Sequence, residues 1–269
     1  MFRKIPAFFK LYRIDVLILS FVAFLAGRLL GRGEFNALFL VQSVFISFFP
    51  YNFVYTLNSI TDVVEDSANK PWRPLPSGAL SKRDAVLWLL FLALCSIAGT
   101  VILFDGIEKI LVFSVLFFGI CYSLPPLVLK KRGLLACFTT GLGITYPMMI
   151  AGGTDLLPFS SSLLFHVLGV TALKDLSDFE GDSLAGRNVK RAASIGKIYT
   201  LSVFLMICSV IGFLMTPFKT AVILPVSSLL VFIAGFCFSK NNFNGTIYSR
   251  MILTTGISAV AALIILTVA

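Results

Sequence analysis

Nine apolar stretches run through this chain, at about 11–30, 35–57, 84–104, 107–127, 134–154, 159–174, 198–216, 218–238 and 249–268. Each is close to the roughly 20 apolar residues that a membrane-crossing helix requires. In hydrocarbon the backbone N–H and C=O groups find no water, so a spanning segment must satisfy them internally. Only 13% of the residues are charged and 58% are hydrophobic, whereas a soluble domain carries about 25% charge. A soluble domain is thereby excluded. No low-complexity stretch or long linker divides the chain, and the expectation is an all-α membrane protein: a single polytopic domain over residues 1–269, with about nine transmembrane helices around a central cavity.

The first stretch follows Arg3, Lys4, Lys10 and Arg13 as a signal peptide would, but its apolar run continues through Gly27 to Leu30 without a small-residue cleavage site. It reads as a true span. With nine spans, 18 of the 22 Lys and Arg residues fall on the side of the N-terminus, and only Arg28, Arg32, Lys109 and Lys219 fall on the other. The positive-inside rule then places the N-terminus and the loops 58–83, 128–133, 174–197 and 239–249 in the cytoplasm, and the C-terminus outside. Basic residues that set orientation and meet anionic membrane lipid explain much of the net charge of +9, so no nucleic-acid partner is expected. Lys190, Arg191 and Lys197 belong to this group. The five cysteines, Cys95, Cys121, Cys137, Cys208 and Cys237, lie in or beside apolar runs without CxxC spacing and read as reduced packing residues.

Against this scarcity of charge, 7 of the 13 acidic residues gather in two short segments, Asn58-Ser59-Ile60-Thr61-Asp62-Val63-Val64-Glu65-Asp66 and Asp175-Leu176-Ser177-Asp178-Phe179-Glu180-Gly181-Asp182. Asn58, Asp62 and Asp66 are spaced four apart, and Asp175, Asp178 and Asp182 three and four apart, so each set forms one face of a helix. Carboxylates crowded beside a membrane repel one another and lose hydration, which calls for a compensating cation. Removing Asp62 or Asp182 is accordingly expected to leave folding nearly intact. If the two faces oppose each other across a cavity, their hard oxygens suit Mg2+, which takes one or two carboxylates and completes its shell with water and substrate phosphate. Basic residues stand near each cluster: Lys70 and Arg73 in Lys70-Pro71-Trp72-Arg73-Pro74-Leu75-Pro76-Ser77-Gly78, Lys130 to Arg132 after Tyr122, and Lys174 beside Asp175. The planar fork of Arg73 suits a phosphate, and the missing ligand is a phosphate or diphosphate. Glu65 and Glu180 lie off the principal faces and are expected to be solvent-exposed.

The order Asn58-x-x-x-Asp62-x-x-x-Asp66, Arg73-Pro74-Leu75-Pro76-Ser77-Gly78, Tyr122-Ser123-Leu124-Pro125-Pro126-Leu127 leading to Lys130, then Asp175-x-x-Asp178-x-x-Gly181-Asp182, resembles the UbiA superfamily of intramembrane prenyltransferases over roughly residues 5–265. The resemblance implies transfer of an isoprenyl chain from an allylic polyprenyl diphosphate, such as geranylgeranyl diphosphate, to a lipophilic or aromatic acceptor, with Mg2+ bound between the two aspartate motifs. Carried over by position, Asn58, Asp62 and Asp66 would hold one metal and Asp175, Asp178 and Asp182 the other. Arg73, Tyr122 and Lys130, with Lys70 and Lys174 nearby, would meet the diphosphate. Asp62, Asp66, Asp175 and Asp182 are then the catalytic carboxylates. Where many relatives carry Asn-Asp at the start of the first motif, this chain has Asn58-Ser59, a departure that touches the acceptor more than the reaction class.

Two other functions weigh against this one. CDP-alcohol phosphotransferases also place aspartates at span ends, but their single aspartate-rich signature with an internal Ala-Arg does not match. A transporter of an anionic or phosphorylated solute would also line its path with intramembrane acids and bases. His166, the only histidine, lies in the sixth span before Asp175 and is read as a hydrogen-bonded interior histidine in preference to a base for the acceptor.

Overall fold

A computed structural model describes residues 7–8, 11, 14–31, 33–132, 134–177, 191–217 and 219–239. Within them the side chains at 15, 69, 134, 173–177, 191–196, 219–220 and 234–239 are outside the description. Among the described residues the regular structure is helical: α1 Ile14–Leu30, α2 Ala37–Phe48, α3 Pro50–Thr61, α4 Val63–Asn69, α5 Lys82–Leu103, α6 Gly106–Ser123, α7 Leu134–Gly152, α8 Leu157–Ser177, α9 Arg191–Leu214 and α10 Ile223–Ser239. Six segments are long and apolar enough to cross a membrane: Ala37–Thr61 (α2 with α3), Lys82–Leu103, Gly106–Ser123, Leu135–Gly152, Thr154–Ala172 and Lys197–Leu214; Val16–Leu30 and Ile223–Ile233 are shorter apolar helices. These coincide with the first eight expected stretches, and the ninth, 249–268, lies outside the described residues.

Two boundaries differ from the sequence reading for backbone reasons. The second span runs on to Thr61, so Asn58 is helical. Pro50 takes the first position of α3, where the missing N–H of proline costs little. The i to i+4 bonds from the N–H of Phe49 to the Phe45 carbonyl and from Phe53 to Phe49, both 2.9 Å, carry the helical ladder from α2 into α3. The fourth stretch stops at Ser123 because Leu124 precedes Pro125 and adopts extended backbone (ψ 150°), as residues before proline tend to.

The chain divides into two compact units, Met1–Thr139 with Tyr146–Gly153, and Thr140–Thr145 with Thr154–Ala269. In the first, Phe53 and Leu57 of α3 pack against Leu92 of α5 and Leu116 of α6, and these contacts fix the helix that carries the first acidic cluster. Small residues allow close approach elsewhere: a Cβ at Gly27 of α1 would lie 2.4 Å from the Met148 carbonyl oxygen of α7, and one at Gly119 of α6 2.4 Å from Val54 of α3. The opposite side of α5, with Leu87, Leu90, Leu94, Ile97 and Val101, is exposed, as a lipid-facing surface is. In the second unit, α8 and α9 meet where Ser209 Oγ donates to the Ser162 carbonyl at 2.7 Å. A Cβ at Gly169 would stand 3.0 Å from the Ser202 carbonyl oxygen.

Gly27→Leu must push α1 from the backbone of α7. The expected outcome is a lower melting temperature in detergent, corresponding to roughly 1–3 kcal/mol of overpacking, measured by thermal denaturation of the purified protein.

Candidate active site

The first acidic cluster sits where the second span leaves the apolar layer. Asp62 separates α3 from α4 with φ −102° and ψ 16°, yet the hydrogen-bond ladder passes through it. The N–H of Asp62 donates to the Asn58 carbonyl at 2.9 Å, that of Asp66 to Asp62 at 2.7 Å and that of Lys70 to Asp66 at 2.7 Å. Asn58, Asp62 and Asp66 are therefore spaced one helical turn apart, as their sequence spacing requires.

Each carboxylate meets a base delivered by another segment. Arg73 Nη1 donates to both oxygens of Asp66, at 2.9 and 2.6 Å. The Arg73 side chain is 22% exposed and that of Asp66 7%. Arg73 reaches this point because the chain from Lys70 to Ser81 folds into successive turns: the N–H of Arg73 bonds the Lys70 carbonyl, that of Ser77 bonds Arg73, and that of Leu80 bonds Pro74. Gly78 supplies φ +72°, where a Cβ is disfavoured. Ala7 and Leu11 pack with Leu80 and Ala85 behind the loop. A small open cleft lies between Leu11, Ser59, the Asp66–Arg73 pair and residues 74–76.

Lys130 pairs with Asp62 and donates to Thr61 Oγ1 at 2.8 Å. Its side chain is 5% exposed and that of Asp62 16%. After α6 the chain reverses through Val128, which adopts left-handed backbone (φ 42°, ψ 56°), into a 3-10 turn over Leu129–Lys131. That conformation is strained for a β-branched residue, and strain of this kind persists where surrounding contacts over-determine it; here it turns Lys130 back toward Asp62. Ser123, at the end of α6, donates to Asn58 Oδ1 at 3.4 Å. Tyr122 is half-buried on the same turn.

Asn58, Asp62, Asp66, Arg73 and Lys130 are thus gathered at one end of α3. Lys70 caps α4 beside them. Lys174 and Asp175 lie on the last turn of α8 with side chains outside the described residues, and Asp178, Glu180 and Asp182 lie wholly outside them. Glu65, expected to be exposed, is half-buried. Asp62 pairs with Lys130, which speaks against the expectation that its loss simply relieves repulsion and leaves folding nearly intact, because a buried ammonium would lose its counter-charge. Thr61 and Ser123 escaped the sequence reading, since neither spacing nor residue type connects them to Lys130 and Asn58. His166 is buried, at 3% exposure, with no hydrogen-bond partner for Nδ1.

Among the described residues no three His, Cys, Asp or Glu side chains cluster. Two carboxylates one turn apart with an amide oxygen nearby nonetheless form a donor set of the kind Mg2+ uses, with water and phosphate completing the shell. The arrangement of two acids and two bases at the end of an apolar helix offers sites for a hard cation and for a phosphorylated anion side by side.

The chain matches the model of the UbiA prenyltransferase family over residues 19–250. It belongs to that family. This UbiA-family chain is 28% identical over 184 residues to digeranylgeranylglyceryl phosphate synthase of Methanococcus vannielii, covering 66% of this chain and 65% of that protein. It is 29% identical over 147 residues to the chloroplastic chlorophyll synthase of Oryza sativa subsp. japonica, covering 50% of this chain and 39% of that one. The match therefore spans about two fifths of the chlorophyll synthase and just under two thirds of the archaeal synthase. The fold is shared with a structure of a UbiA homolog from Archaeoglobus fulgidus bound to GPP and Mg2+, with TM-score 0.71 and 18% identity over 98% of this chain and 100% of that one.

Asp66→Ala removes the partner of Arg73 and one tie on the loop before α5. Loss of this partly buried pair is expected to cost on the order of 1–3 kcal/mol and to speed amide hydrogen exchange across 72–81, read by mass spectrometry. Unchanged exchange would show that the turns alone hold the loop.

Proposed function

We propose that this UbiA-family protein is a Mg2+-dependent prenyltransferase that moves an isoprenyl chain from an allylic polyprenyl diphosphate, of which geranylgeranyl diphosphate is the representative, to a lipophilic or aromatic acceptor. The observation that carries the reading is the juxtaposition of Asp62 and Asp66 with Lys130 and Arg73 at the end of an apolar helix. It puts oxygen ligands for a metal beside donors for phosphate, next to the layer where an isoprenoid tail partitions.

Asn58, Asp62 and Asp66 would hold one Mg2+, and Asp175, Asp178 and Asp182 another. When bound, the metal offsets negative charge growing on the departing diphosphate. Arg73 and Lys130, with Tyr122, Lys70 and Lys174 as further contacts, orient that diphosphate and stabilise it as the allylic C–O bond breaks and its electron pair leaves with oxygen. The acceptor then bonds to the allylic carbon and gives up a proton. Aromatic faces of the spans shield the cation electrostatically, and the apolar helices keep water from intercepting it. The charge asymmetry of the loops supports a cytoplasmic N-terminus and cytoplasmic acidic clusters, with the C-terminus outside.

The test is pyrophosphate release from geranylgeranyl diphosphate by purified protein with a panel of acceptors. Release is expected to require Mg2+ and one acceptor class, to fall at least about 100-fold in Asp62→Ala, and to show a raised KM in Arg73→Lys, where the two-pronged fork is lost. Accumulation of a phosphorylated solute in sealed vesicles, without diphosphate cleavage, would replace this reading with transport.

A further inference from the structure

Each carboxylate assigned above to the metal is held by the very cation assigned to the diphosphate. Asp66 is bonded through both oxygens by Arg73, and Asp62 is paired with Lys130. Neither base is a loose surface charge. The Lys130 side chain is 5% exposed, Thr61 Oγ1 gives its ammonium a second anchor at 2.8 Å, and the left-handed turn at Val128 aims it inward.

We infer that Lys130 and Arg73 are stand-in counter-ions for the metal, and that they make Mg2+ and diphosphate bind as a coupled pair. The inference rests on the prenyltransferase reading and goes beyond it by stating how the two ligands depend on each other. A cation binding alone must draw Asp62 and Asp66 away from their bases and leave the buried Lys130 and the half-buried Arg73 without partners. An anion binding alone must draw away Lys130 and Arg73 and leave the buried Asp66 and the half-buried Asp62 without partners. Either separation is unfavourable because these groups have little access to water. With both ligands present, the carboxylates turn to the metal and the bases to the phosphate oxygens, so every charge keeps a partner and the separation is undergone once. Each ligand then strengthens the other by the same factor, as linkage demands, beyond the direct attraction between them.

A diphosphate contact without the exchange, or a purely structural lysine, would behave differently when its charge is removed. If Lys130 stands in for metal, Lys130→Met releases Asp62 and metal alone binds more tightly. If Lys130 only braces the fold, metal binding weakens or stays the same.

The experiment uses the full-length protein in detergent, with Mn2+ as the metal probe, its free concentration followed by electron paramagnetic resonance. Geranyl S-thiolodiphosphate serves as an unreactive diphosphate, with its own chelation of Mn2+ measured in buffer. In the wild-type protein the thiolodiphosphate is expected to tighten Mn2+ binding on the order of tenfold or more. In Lys130→Met, Mn2+ alone is expected to bind roughly tenfold more tightly than to wild type, with the enhancement by thiolodiphosphate shrinking. Arg73→Met, at the more exposed pair, is expected to show the same pattern and decides the matter if Lys130→Met does not fold. Wild-type protein that binds both probes, with a folded variant whose affinity for Mn2+ alone is unchanged or weaker, overturns the exchange and leaves the prenyltransferase reading standing. Wild-type protein that binds neither probe overturns both.

Discussion

Hydrocarbon offers no partner for a peptide group, and this constraint organises the whole chain. It accounts for the helices and for the behaviour of polar side chains along them. Ser43, Ser47, Thr100 and Thr145 each return a hydroxyl proton to a carbonyl three or four residues earlier on the same helix, so their presence in the apolar layer leaves no exposed donor. Full charges have no such local solution. The two acids of the first cluster stand at the end of the second span, each with a base from another segment.

Those two pairs bring together parts of the chain that are far apart in sequence. Asp62 and Asp66 arrive on α3 and α4, Arg73 on a loop folded by its own turns and backed by Leu11, and Lys130 on a short turn after α6. Contacts deeper in the first unit set the frame: Phe53 and Leu57 against Leu92 and Leu116 fix α3, and Gly119 against Val54 brings α6 close enough for Ser123 to meet Asn58. The apolar packing thus decides which polar groups meet. A site assembled this way places the carboxylates proposed as metal ligands in contact with the bases proposed as phosphate donors.

Much of this was legible beforehand. Apolar run length located eight apolar helical segments, six of them long enough to cross a bilayer. The four-residue spacing of Asn58, Asp62 and Asp66 survived intact because the helical ladder continues through Asp62. Other features were not legible. Pro50 marks a point where the second span could kink, but its identity does not say whether the helix stops there; the bonds made by Phe49 and Phe53 carry it on. Its position on the helical wheel points Glu65 toward solvent, yet it is half-buried because burial depends on what packs against the helix. Thr61 and Ser123 carried no signal at all.

By itself, the sequence determined that this protein lives in a membrane as helices, that its acids stand in two clusters, and that its bases lie on the loops beside them. These follow from local physics, from hydropathy over a span and from periodicity along a helix. Only the tertiary structure decided that Lys130 takes Asp62, that Arg73 takes Asp66 and that Thr61 and Ser123 join them. Those partnerships span up to 69 residues, and a contact between distant segments depends on how whole helices pack, a quantity that neither composition nor spacing contains.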